Sequence, residues 1–152
     1  MRPSPVLANS KPHPSPSPNI SSTFNFPMAT HSHTAHDPNC LFCKIVAKQI
    51  PSRTVYEDDD FYAFHDIAPW APVHFLIIPK LHIPSMAHVG PDDAPLMGRM
   101  MALVPKLALQ EGCNPYPDGG FRLVTNTGSE GGQEVRHLHF HVMGGPRPWL
   151  RG

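Results

Sequence analysis

The chain has 152 residues, 20 of them proline and 11 histidine, with 12 Lys/Arg against 12 Asp/Glu and a formal net charge of zero when the histidines are neutral. A chain of this length holds one domain, and without a basic block it is no sequence-independent nucleic-acid binder, which needs clustered Lys/Arg to neutralise several phosphates. No apolar run approaches the roughly 20 residues of a spanning helix, so neither nucleic acid nor membrane is an expected partner.

Eight of the prolines precede residue 39, and residues 1–36 carry Arg2, Lys11 and four histidines but no acid. Ordering a residue costs roughly 1–2 kcal/mol of backbone entropy, and a Pro/Ser/His segment without apolar periodicity has little to bury in return. Residues 1–36 are therefore expected to be a disordered extension, and residues 37–152 the domain. Val6-Leu7-Ala8 is too short for a secretory hydrophobic region, and the prolines resist the amphipathic helix of a transit peptide. Met28 is a plausible natural start, and a chain begun at Met28 or Asp37 is expected to behave like the full one. Cys40, Cys43 and Cys113 in a chain with no export signal suggest a reducing, cytoplasmic setting, where the first two are thiol ligands or spectators.

From Asp37 short segments alternate with turns. A short helix beginning at Asp37, Pro38 or Asn39 runs through Leu41, Phe42, Ile45 and Val46 and stops before Ile50-Pro51. Strands are expected over Arg53–Glu57, Phe61–Asp66 and Val73–Pro79, the last central because Phe75-Leu76-Ile77-Ile78 is apolar on both faces. Asp92–Gln110 is one long helix, with a stripe of Leu96, Met97, Met100, Leu103, Val104 and Leu107, a conflicting Pro105 expected to kink its last two turns, and Gly112 to end it. Two further strands, Phe121–Asn126 and Val135–Met143, flank the loop Thr127–Gly132. The order indicates an α+β domain on a five-stranded antiparallel sheet.

His137, His139 and His141 alternate with Leu138, Phe140 and Val142, so on a strand the imidazoles share one face while the apolar side chains enter the core. Such a row reads as a half-solvated edge, a three-histidine metal site, or a reactive site. The Gly-rich loop before it is suited to holding an anion on backbone amides, and a neutral imidazole beside an anion site is a competent nucleophile for phosphorus. Cys40-x-x-Cys43 has the spacing of a pair of zinc thiolates.

His137-Leu138-His139-Phe140-His141-Val142-Met143 resembles the motif of the histidine-triad (HIT) family. Ile50-Pro51 with Val55–Asp58, Ala63–Pro69, Ala71–Phe75 and Ile78–Lys80 match in order as well, and Gly144-Gly145 with Trp149 are similar to its Hint branch. The resemblance implies a homodimer with one continuous ten-stranded sheet, binding a purine nucleoside monophosphate and hydrolysing nucleoside phosphoramidates. It makes His139 the nucleophile, His137 and His74 its orienting partners, and His141 the group that stabilises the phosphate and helps the leaving group. Asn126, Gly132 and the loop exit at Glu134 would hold phosphate oxygens, Asp66 the ribose, and Leu41, Phe42, Ile45, Ile50, Phe64 and Ile67 the base. Asp66 reads equally as a turn cap, the apolar residues as core, and His65 as a surface residue. Glu134 stands where some members carry a hydroxyl; its charge repels phosphate unless it faces away or meets the amine of the substrate. By similarity to some members and to galactose-1-phosphate uridylyltransferases, His82 and His137 complete a structural zinc site with Cys40 and Cys43. The alternatives are a nucleotide-binding scaffold with little turnover and a dinucleoside polyphosphate hydrolase.

Overall fold

A computed structural model describes residues 33–149. The short helix α1 covers Leu41–Val46 and is capped at its N-terminus by the Cys40 thiol, which accepts from the Cys43 amide. Strands β1 (Thr54–Glu57), β2 (Phe61–His65) and β3 (Val73–Pro79) follow, then single 3-10 turns at Met86–His88 and Pro91–Asp93. The helix α2 spans Ala94–Gln110, and strands β4 (Phe121–Val124) and β5 (Phe140–Gly144) complete the fold.

All five strands pair antiparallel in the order β1-β2-β3-β5-β4. The unbroken apolar β3 is central, as its sequence requires. Its alternation divides the core in two. Phe75 and Ile77 face α2, joining Phe61, Ala63, Met100, Val104, Leu107, Leu138, Phe140 and Val142. Leu76 and Ile78 face α1, with Tyr62, Phe64, Phe42, Ile45 and both cysteines of the Cys-x-x-Cys pair. On β5 the same pleat sends Phe140 and Val142 toward α2 and leaves His141 opposite Leu76 on the α1 face.

The long helix lies close to its expected span, its first turn tightened into the 3-10 turn at Pro91–Asp93. Pro105 does not end it, since it sits on the exposed face, where water can take the freed Met101 carbonyl. Gly112, at φ 101°, follows the C-cap. The Cys113 amide donates to the Ala108 carbonyl at 2.9 Å and the Gly112 amide to that of Leu109 at 3.1 Å, the two bonds of a Schellman ending.

One expectation needs correction. The last strand, expected from Val135, begins at Phe140. His137 and His139 lie in the irregular approach to it, because the His137 amide turns back onto the Val135 carbonyl at 2.8 Å instead of entering a ladder. Two residues of the expected extension touch the domain. His33 Nε2 lies 3.0 Å from both carboxylate oxygens of Asp93, and the Thr34 carbonyl accepts from the His82 amide at 3.0 Å. The rest of the expected extension, residues 1–32, lies outside the described residues.

These contacts separate the two truncations. A chain begun at Met28 retains them, while one begun at Asp37 loses both. A hydrogen bond to a charged group contributes about 1–3 kcal/mol, so the shorter chain is expected to melt several degrees lower in thermal unfolding. Equal melting temperatures would show that His33 and Thr34 contribute nothing.

Candidate active site

On the α1 face of the sheet a cleft of about 390 Å³ is lined by Leu41, Phe42, Ile45, Phe64, His65, Asp66, Ile67, Trp70, Leu76, Asn126, Gly132, Glu134, Val135, His139 and His141. Eleven of the twelve residues expected to bind nucleotide are among these. The exception is Ile50, which packs against the core beneath α1 and does not reach the cleft. An apolar residue beside a proline carries no mark of which side of a helix it will cover.

The imidazoles are fixed by partners that determine their tautomers. His139 Nδ1 lies 2.6 Å from the His137 carbonyl. A carbonyl only accepts, so Nδ1 carries the proton and Nε2 keeps its lone pair. The Trp70 amide donates to His74 Nδ1 at 3.0 Å, so His74 is protonated on Nε2, which donates to His141 Nδ1 at 2.9 Å. His141 then carries its proton on Nε2. The Trp70 ring stacks on His141 with centroids 5.1 Å apart and planes 16° apart, while Phe42 meets His139 edge-on at 5.2 Å. His139 therefore offers a lone pair on Nε2, and His141 an N–H donor on Nε2.

The roles expected of His74 and His137 change accordingly. His74 orients His141 instead of His139, because on β3 it stands diagonally across from His141 on the same face. His137 orients His139 through its backbone carbonyl only. Its ring points away, with Nε2 donating to the Pro79 carbonyl at 2.8 Å and Nδ1 facing the two thiols.

Burial lowers the proton affinity of every one of these imidazoles. His141 is pushed down to about 4 by burial and by the neighbouring His139 and His74, and His137 to about 4 mainly by burial. His139 and His74 are lowered by the same cause, with Asp66 opposing it in both. At neutral pH all four are uncharged.

Asp66 caps the turn that follows β2 and borders the cleft. Oδ1 accepts from the Ala68 amide at 2.8 Å and caps the turn, while Oδ2 lies 3.6 Å from His74 Nε2 and 3.9 Å from His141 Nδ1. The Gly-rich loop is less open than expected. The Gly132 and Gln133 amides donate to Ser129 and Gly128 carbonyls within the loop, and the Gly128 amide donates to Gln133 Oε1. Gln133 Nε2 in turn holds the Pro84 and Val135 carbonyls at 2.7 and 2.9 Å. Asn126 Nδ2 donates to the Gly132 carbonyl at 3.2 Å, so it braces the loop at the edge of the cleft.

Sequence reasoning missed His65, Trp70, Leu76 and Val135 in the lining. His65, read as a surface residue, is half-buried and pairs with Glu111 at 3.0 Å. Trp70 did carry a signal: a large aromatic held between Pro69 and Pro72 in a turn is too costly to expose without a contact.

Behind the cleft, Cys40, Cys43, His82 and His137 bring their ligand atoms within 4.8 Å of one another, all four buried. Cys40 Sγ is 3.4 Å from His137 Nδ1, and Cys43 Sγ is 3.4 Å from His82 Nδ1 and 3.6 Å from His137 Nδ1. The Asp37 amide donates to Cys43 Sγ at 3.4 Å, and burial pushes that thiol up to about 11. Such a set can hold a metal.

The HIT domain profile matches residues 47–147. HitA of Neisseria gonorrhoeae is 53% identical over 108 residues, 71% of this chain and 97% of that protein. The purine nucleoside phosphoramidase of Escherichia coli K12 is 46% identical over 105 residues, 69% of this chain and 86% of that protein. A HIT family hydrolase from Legionella pneumophila superposes with a TM-score of 0.68 at 47% identity, covering 75% of this chain and all of its own.

Proposed function

The chain belongs to the HIT family, and from that premise we propose that it hydrolyses purine nucleoside phosphoramidates through a nucleotidyl intermediate on His139. The observation that carries the reading is the 2.6 Å bond from His139 Nδ1 to the His137 carbonyl, which leaves the Nε2 lone pair for attack on phosphorus. The named activity of the Escherichia coli relative supports the substrate class.

The steps follow from the tautomers. His139 Nε2 forms a bond to the α-phosphorus. The P–N bond to the amine breaks, and the amine departs with that electron pair and a proton from water at the cleft mouth. The phosphorylated imidazole is cationic, and its Nδ1–H remains on the His137 carbonyl. His141, held by His74, donates Nε2–H to a phosphoryl oxygen and offsets charge developing there. The hydroxide equivalent then attacks phosphorus, the bond to His139 breaks, and the nucleoside monophosphate leaves. The apolar wall of Leu41, Phe42, Ile45 and Phe64 receives the base and Asp66 the ribose hydroxyls. The protein works as a homodimer in the cytoplasm, the latter supported by its three free cysteines.

The four-ligand cluster suits zinc. A tetrahedral ion with Zn–S of about 2.3 Å and Zn–N of about 2.05 Å has an S···N edge of roughly 3.6 Å, and the S···N distances here are 3.4–3.6 Å. The Pro79 carbonyl fixes the His137 tautomer and Asp37, 3.8 Å from His82 Nε2, supports the other imidazole. When bound, the ion neutralises the thiolates and ties α1 to the approach to β5. With four protein ligands its role is structural.

A panel of adenosine phosphoramidate against a diadenosine polyphosphate tests the function. Rapid amine release from the first and little cleavage of the second is expected; the reverse result replaces this reading with the polyphosphate hydrolase, and cleavage of neither leaves a nucleotide-binding scaffold. A pH profile adds a second test. Attack needs neutral His139, whose affinity for protons is lowered by burial, so kcat/KM should stay level as pH falls to about 6.5, the ordinary histidine value, and decline only below it. A decline centred above that value would show that burial does not govern His139.

A further inference from the structure

The charged side chains that line the cleft are carboxylates. Asp66 and Glu134 both border it, and no Lys or Arg does so among the described residues. A phosphate thus enters a site whose fixed formal charges are all negative.

The two carboxylates are not equivalent. Asp66 is half-buried, accepts from the Ala68 amide through Oδ1, and in the reading above takes the ribose hydroxyls. Glu134 is exposed, forms no ion pair among the described residues, and lies close enough for its charge to act on His139. A nucleoside placed against the apolar wall leaves one phosphorus substituent to extend toward solvent, the leaving amine. Glu134 is the exposed one of the two carboxylates that line the cleft.

We infer that Glu134 is a specificity-determining residue that selects leaving amines bearing a second, positively charged group and rejects those bearing a carboxylate. The inference rests on the hydrolase reading above and deepens it. A nucleoside phosphoramidate monoester carries one negative charge at the phosphate. A cationic leaving group cancels that charge and meets Glu134 favourably, whereas an anionic one doubles it in a cleft with no compensating side chain. Selection by repulsion needs no new contact surface, only an unpaired charge facing the wrong partner.

The test uses three substrates of matched length: AMP joined through nitrogen to propylamine, to trimethylenediamine and to β-alanine, whose free ends are neutral, cationic and anionic. The wild-type kcat/KM is expected to fall in the order cationic, neutral, anionic, with about tenfold or more between the extremes at low salt, narrowing as added salt screens the exposed carboxylate. Glu134→Gln should shrink the cationic-to-anionic ratio several-fold, and Glu134→Lys should bring it near one or invert it. Read as a ratio, the result is insensitive to a general loss of activity in either variant. An unchanged ratio in both variants, or equal turnover of all three substrates by wild-type protein, overturns the inference. If wild-type protein cleaves none of them, the hydrolase reading falls instead. Calorimetric affinities for the same three compounds then decide, the same order supporting the role of Glu134 and equal affinities overturning it.

Discussion

Replacing His139 with alanine is expected to lower turnover of adenosine phosphoramidate by roughly 10⁴-fold or more, the usual consequence of removing a covalent nucleophile. Among the triad histidines and His74, only His139 keeps a ring nitrogen lone pair without a hydrogen-bond partner. His74 and His137 are directed elsewhere, and the His141 lone pair on Nδ1 is taken by His74. AMP should still bind, because the apolar wall and Asp66 remain, and calorimetry on His139→Ala separates loss of chemistry from loss of the site. Asp66→Ala should show the opposite pattern, weaker ribonucleotide binding, together with a loosened turn at Ala68. His141→Ala should slow turnover less than His139→Ala does. His74→Ala should resemble His141→Ala, since its contact is with His141 and not with the nucleophile. Rapid alkaline denaturation during wild-type turnover should trap α-phosphate label on one histidine in an acid-labile bond, and a chiral phosphorus centre should show net retention. Near wild-type turnover by His139→Ala, or inversion at phosphorus, would overturn the covalent mechanism.

Replacing Cys43 with serine is expected to release about one zinc per subunit and to lower the melting temperature by about 15 °C or more. A metal present at about 1,000 times its dissociation constant stabilises the folded state by about 4 kcal/mol, and each kcal/mol moves the melting point of a domain of this size by about 4–8 °C. Cys43 sits in the middle of the cluster, near both imidazoles and the Asp37 amide. Its high thiol pKa in the absence of a cation means that binding must expel the proton, so acid favours release. The imidazoles resist protonation because burial lowers both His82 and His137. Metal loss should therefore begin below about pH 6.5, the value for an ordinary histidine. Elemental analysis of protein purified under reducing conditions checks the stoichiometry. Wild-type protein without metal, at full activity and unchanged melting temperature, would end the zinc assignment while leaving the histidine chemistry untouched.

Elements whose character is periodic were legible in the sequence. The stripe on α2, the apolar run of β3 and the alternation of Leu138, Phe140 and Val142 with the three histidines each encode burial on a known face, and all are found there. The extent of the last strand was not legible, because alternation also suits an extended approach, and the turn of the His137 amide onto Val135 depends on what lies across from it. The loop before it was overestimated as an anion cradle for a related reason. Glycines permit exposed amides, but the Gly128 amide is taken by the Gln133 side chain and the Gly132 amide by the Ser129 carbonyl.

The sequence by itself determined which residue types share the cleft: histidines at every second position, a carboxylate at the end of β2, and an apolar helix able to lie over them. Only the tertiary structure decided what each imidazole can do. A tautomer is set by whichever donor or acceptor meets the second ring nitrogen, and here those partners are the Trp70 amide, the Pro79 carbonyl and a histidine 67 residues away along the chain. His74 and His137 are therefore the two residues whose roles shifted on folding. Neighbours in the motif share a face by the geometry of an extended chain; the His137 carbonyl sets the His139 tautomer from within the motif, whereas the rings of His137 and His141 take their partners from β3.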